Sequence, residues 1–171
     1  MIRPEVGFVL MILEDVAADQ PVGHPLYRVD RNNARVYQEP VGLDAQDPVR
    51  RQRVETSAAN LVSAAWKNRD ATPLGPQYDL KGDTVVNVRL EGDHYLEHGH
   101  IDPEGVDGVA FDELVNDCRS ALLDERVYPD HPAFEDRKTH LRIMNERDDS
   151  SDYRDRFRAE FDVVFNFRER P

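Results

Sequence analysis

The sequence predicts an α+β domain: a mostly antiparallel sheet with two helices packed on it and a long C-terminal β-hairpin. Three observations carry that expectation. The stretch "DTVVNVRLEG" alternates Val86, Val88 and Leu90 with Val85, Asn87 and Arg89, the two-residue period of a strand with one buried face. Near the C-terminus, Phe157, Ala159, Phe161, Val163 and Phe165 alternate with Arg158, Glu160, Asp162, Val164 and Asn166 in the same way. Between these two, Phe111, Leu114, Val115, Cys118, Ala121 and Leu122 recur at helical spacing and make one apolar stripe.

From the N-terminus, Val6, Val9, Leu10, Leu13 and Val16 fall on one side at helical spacing. A helix from about Pro4 to Ala18 follows, with proline in its first turn and Pro21 just beyond its end. Leu26 to Asp30 and Arg35 to Gln38 flank "RNNA", whose asparagines tolerate the left-handed conformations of tight turns, so a hairpin is expected there. The polar, aperiodic "VGLDAQDPVRRQRVETS" contains Pro48 and reads as a long loop at about 40–58. In "ANLVSAAWKNRD" the alanines favour a helix, yet Leu61 to Trp66 followed by the breakers "ATPLGP" suits a strand, and a strand is expected. Gly92 ends the strand of "DTVVNVRLEG"; the turn-rich "DPEGVDG" then precedes the helix of Phe111 to Leu122. "THLRIMNERDDSSDYRDRFRAEFDVVFNFRERP" reads as a strand from about His140 to Asn145, a charged turn and a final long strand. No repeat and no low-complexity linker divides the chain, so one domain over 1–171 is expected.

Charge separates function classes. The chain holds 34 acidic and 22 basic residues, a formal net charge of −12 and a pI near 4.9, and its only lysines are Lys67, Lys81 and Lys138. In dilute buffer such an excess repels itself; in molar salt the Debye length falls to about 3 Å and the repulsion is screened. Acidity with scarce lysine and abundant arginine therefore points to a salt-rich cytoplasm. It also argues against a nucleic-acid reader, which needs a basic surface to displace counterions from phosphates. The one basic run, Arg50, Arg51 and Arg53, is read as a solvated loop or as a partner for acids of a neighbouring subunit. A single cysteine, Cys118, excludes an intrachain disulfide and fits a reducing site of assembly; it is read as a core thiol on the buried helix face. The apolar run from Val6 to Leu13 is too short to span a bilayer and lacks a following cleavage site, so neither membrane nor export is expected.

The stretch "EGDHYLEHGHIDPEG" at 91–105 concentrates three of the six histidines. A structural zinc needs about four converging ligands; His98 and His100 share a face if extended, with His94 or Glu97 to complete a site. The turn-forming "IDPEG" follows directly and no established zinc spacing is present, so a polar loop is expected and no metal or other cofactor. A calcium loop starting at Asp102 would place Val106 at a ligand position and Asp107 where glycine is required. No Gly-rich phosphate loop, G-x-S-x-G elbow or H-E-x-x-H helix occurs, so no enzyme is expected. The competing reading from another class is a small metal-dependent hydrolase built on His94, His98 and His100 with Asp102.

The order helix, hairpin, loop, two strands, helix, terminal hairpin resembles the tail-terminator, or tail-completion, proteins of long-tailed viruses. The wording "LGPQYDLKGDTVVNVRLEG", "EHGHIDPEGVDG", "FDELVNDCRSALLDERVYP", "THLRIMNE" and "YRDRFRAEFDVVF" is similar to proteins of that kind from haloarchaeal tailed viruses and proviruses, over roughly residues 20 to 168. "NLVSAAWK" departs from it, being richer in alanine than the strand expected there. The resemblance implies a virion protein at the tail–neck junction, assembled in the host cytoplasm. It implies a ring, a hexamer, that contacts the tail tube protein and a neck or connector protein, with DNA passing through its channel. Another neck component, an adaptor or stopper, is the nearest alternative. Residues expected to bridge subunits are Arg50, Arg51 and Arg53 in the long loop, and Asp149, Tyr153 and Arg156 around the charged turn. The final strand is expected to be exposed, offering its backbone for pairing with a neighbour.

Overall fold

The structure, a computed structural model, describes residues 3–18, 26–30, 35–36, 60–75, 79–93, 111–135, 137–152 and 156–169. Helix α1 (Pro4–Ala18) leads into strands β1 (Leu26–Asp30), β2 (Arg35–Val36), β3 (Asn60–Pro73) and β4 (Leu80–Asp93). Helix α2 (Phe111–Asp124), β5 (Arg137–Asp148), a 3-10 turn (Ser150–Asp152) and β6 (Arg156–Glu169) complete the order. The strands form one sheet in the order β2-β1-β3-β4-β6-β5, antiparallel throughout except for the parallel pair β1–β3. This is the expected α+β architecture with its C-terminal hairpin, β5–β6.

One face of the sheet builds the core. Val62 and Ala64 of β3, Val86, Val88 and Leu90 of β4, Leu141 of β5, and Phe161, Val163 and Phe165 of β6 are buried there against both helices. From α1 come Val6, Val9, Leu10, Leu13 and Val16, the expected stripe; from α2 come Phe111, Leu114, Cys118 and Leu122. Each valine, leucine or phenylalanine among them contributes about 1.5–3 kcal/mol on burial. Phe8 lies off the expected stripe of α1 and is buried as well, its ring 5.7 Å from those of Phe134 and Phe165. The turn at His131–Phe134 folds over that side of the helix.

The alanine-rich segment is a strand, as expected, and a long one. Its ladder with β4 runs from Leu61↔Glu91 to Pro73↔Leu80, and twelve cross-strand pairs override the helical preference of Ala64, Ala65 and Ala71. One irregularity interrupts it, between Trp66 and Asn68, and places Lys67 at a bulge. β5 carries two more, at Thr139 and at Asn145–Glu146; Asn145 has φ 55°, a left-handed conformation that asparagine tolerates better than most residues. The β5–β6 turn is held by local polar chemistry: the Ser150 amide donates to Asp148 Oδ1 at 2.8 Å, and Ser150 Oγ accepts from the Arg158 amide at 3.0 Å.

The final strand departs from expectation. β6 is paired on both sides, to β4 along its whole length and to β5, and so offers no free backbone edge. Its sequence explains this: Phe161, Val163, Val164, Phe165 and Phe167 are all buried, and a strand this apolar is satisfied only between two neighbours. β5 is the outer strand instead.

Candidate assembly surface

The helices cover one face of the sheet, and the side chains on the opposite face are charged and mutually paired. They come from the polar positions of the alternating strands: Asn87 and Arg89 of β4, Arg158, Glu160, Asp162 and Asn166 of β6, and Arg142 and Arg147 of β5. Asp162, only 2 % exposed, accepts three hydrogen bonds from three other strands: Lys67 Nζ at 2.9 Å, Asn87 Nδ2 at 3.1 Å and Asn145 Nδ2 at 2.8 Å. Two of those donors stand at the bulges of β3 and β5, which turn them inward over β6. Burial pushes the Asp162 carboxyl up, but the hydrogen bonds from Asn145, Lys67 and Asn87, with the Lys67 charge, outweigh it and hold the group below the ordinary carboxylate range.

Glu160, two residues along, bonds Arg147 and lies 3.4 Å from Arg158; burial works against its charge, and the two arginines prevail and lower its pKa. At the other end Asp83 accepts from Arg142 at 2.9 Å and from Asn166, while Arg142 also donates to Asn166 Oδ1 at 2.6 Å. Single surface pairs of this kind contribute about 0–1 kcal/mol; as a network across four strands they fix register. An open hollow of about 610 Å³ adjoins this end, with Lys81, Asp83, His140 and Arg168 on its walls. Its mixed charges favour no single class of ion.

The folded pKa of Asp162 is depressed, so its stabilisation is present above the unfolded value of about 3.9 and is lost as pH falls through the folded one. Asp162→Asn is therefore expected to destabilise by about 2 kcal/mol at pH 7. By urea unfolding in molar salt, that gap should close as the pH drops below the unfolded carboxylate range. A gap independent of pH would show that the charge of Asp162 is not what holds the bulges.

The helical layer is electrically different. Asp112, Glu113, Asp117 and Asp124 on α2 are exposed, and among the described residues none of them is in an ion pair. Cys118, on the same helix, is fully buried; burial, then the Asp117 charge, pushes its thiol up to about 12, so it stays protonated at neutral pH.

Of the residues singled out from sequence, Asp149 lies within its own subunit's network: its carboxylate is 3.1 Å from Arg147 Nε, and its amide donates to the Arg158 carbonyl. Arg156 opens β6, in register with Asp93. Arg50, Arg51, Arg53, His94, His98, His100, Asp102 and Tyr153, with the loop at 40–58, lie outside the described residues. Among the described residues no three His, Cys, Asp or Glu side chains converge as metal ligands, and no helix is long and apolar enough to cross a membrane. The Asp162 cluster escaped sequence reasoning; its one local signal is Asn145, an asparagine in a strand where a bulge would suit it.

No protein-family model matches the chain, and no curated protein matches it. Among solved structures, it is similar to a chain of one described as "Virion of native gene transfer agent (GTA) particle", at a TM-score of 0.48 and 11 % identity, over 94 % of this chain and 92 % of that one.

Proposed function

We propose that the chain, one domain over 1–171, is a non-enzymatic structural protein of a tailed virus or virus-like particle. In its sharper form it is the tail terminator of a haloarchaeal virus, a ring that caps the tail tube and meets the neck. The observation that supports this best is the division of charge between the two layers. The open sheet face is internally paired, whereas Asp112, Glu113, Asp117 and Asp124 on the exposed side of α2 are in no ion pair among the described residues. A charge-paired face can be covered by another protein without stranding an ion. A net acidic layer facing a channel lets DNA pass without holding it. The order of elements, with two helices on a sheet that ends in a hairpin, is the one the family resemblance implies.

Light scattering on the purified protein in molar potassium chloride, repeated in dilute buffer, tests the reading. The expected result is a closed ring of about six subunits in high salt that dissociates in dilute buffer. A monomer at every salt and protein concentration would overturn the ring. Bound zinc at one equivalent in protein purified without chelator would favour the hydrolase of His94, His98 and His100 instead.

A further inference from the structure

Tyr128 is held in a backbone conformation that bulky residues avoid, with φ 50°, yet its side chain is 57 % exposed. The backbone around it is tied to the outer edge of β5: Tyr128 N–H donates to the Thr139 carbonyl at 3.0 Å, Leu141 N–H donates to the Arg126 carbonyl at 2.9 Å, and Val127 bridges to His140. Val127 is 67 % exposed, and the Arg137 guanidinium lies 5.2 Å from the Tyr128 ring centre. An apolar pair and an arginine thus project from the sheet edge at the C-terminal end of α2, in a strained conformation that the protein's own core does not use. Strain maintained by surrounding structure points to a role outside the fold, and tyrosine with arginine is the composition of an interface anchor.

The rest of the β5 edge is unsuited to adding a strand. The bulge at Asn145–Glu146 breaks its line, and Arg142, Glu146, Arg147 and Asp148 are charged. At that far end, roughly 20 Å from Leu141 along the strand, a cavity of about 300 Å³ opens between α2 and the hairpin. Val115, Ala159 and Phe161 form its apolar part with Asn116 beside them, and its charged walls carry four acids against Arg119 and Arg147. Those arginines are paired with Glu146 and Glu160, so the apolar part suits a tyrosine ring and the remaining Asp112 and Asp148 suit the arginine that accompanies it.

We propose that Tyr128, with Val127 and Arg137, seats in this cavity of the next copy of the chain. The inference rests on the ring reading above. Knob and hole stand at opposite ends of β5, so the contact is head to tail, the geometry that closes into rings rather than pairs. High salt favours it, because two copies each carrying −12 repel in dilute buffer.

Two variants test the contact in molar potassium chloride, each followed by light scattering and thermal unfolding. Tyr128→Gly removes the ring and relieves the positive φ; Asn116→Trp plugs the hole from an exposed position. Tyr128→Gly should unfold no lower than the native protein yet assemble roughly 30-fold more weakly, the loss of one anchor residue. Asn116→Trp should weaken assembly alike. Mixed, the two variants retain one good knob and one good hole, and should yield a dimer and nothing larger. Full assembly of either folded variant would overturn the knob while leaving the ring intact; a native protein that stays monomeric would overturn both.

Discussion

Replacing Glu5 with leucine is expected to destabilise the protein by about 4 kcal/mol. The Lys138 side chain is fully buried, and its Nζ lies 2.8 Å from Glu5 Oε1, which ties the first turn of α1 to the start of β5. The rings of Phe134 and Phe167, each 5.2 Å from the ammonium, stabilise its charge further but cannot stand in for a carboxylate. Without Glu5, a buried cation loses a carboxylate partner, whereas Glu5→Leu combined with Lys138→Met removes both charges and should recover most of the loss. Urea unfolding in molar salt measures both. Trp66, the only tryptophan, gives a local signal, because Arg3 at the start of α1 lies 3.9 Å over its ring. A single variant as stable as the native protein would show that the ion pair does not anchor α1. A double variant as weak as the single would assign the loss to packing.

What could be read from sequence divides along physical lines. Alternation at Val86, Val88 and Leu90 and the stripe of α2 identified elements and buried faces, because those patterns are local consequences of geometry and of one-sided burial. Phe8 was missed because its cover comes from His131–Phe134, more than a hundred residues away, and nothing near Phe8 reports that contact. Asp162 looked like any acid on a solvent face. Its three donors meet only once two bulges have shifted β3 and β5, and a bulge inserts residues without leaving a period to detect. Strand order was likewise not local: β6 was expected at an edge although Val164, on its polar face, hinted at burial on both sides. The Lys138–Glu5 pair spans the chain almost end to end, so only the fold brings it together.

Gly82→Ala is the change expected to damage the sheet most directly. A Cβ at this position would overlap the Asp70 carbonyl oxygen and stand 2.8 Å from that carbonyl carbon and 2.9 Å from Ala71 Cα. All three are backbone atoms of β3, which no side-chain rotation can move aside. The strands would have to separate where Ala71 pairs with Gly82, and Asp83, next in β4, would shift away from Arg142 and Asn166. Overpacking of this kind costs about 3 kcal/mol. The contrast with Gly75 is informative: a Cβ there meets nothing within 4 Å, so Gly75→Ala should be nearly neutral, and a general loss of chain flexibility is controlled for. Urea midpoints for both variants decide the matter. If Gly82→Ala unfolds with Gly75→Ala and the native protein, the close approach of β3 to β4 is not a constraint, and glycine stands at 82 for another reason. If only Gly82→Ala falls, the open end of the charged face depends on a backbone contact that no other residue type permits.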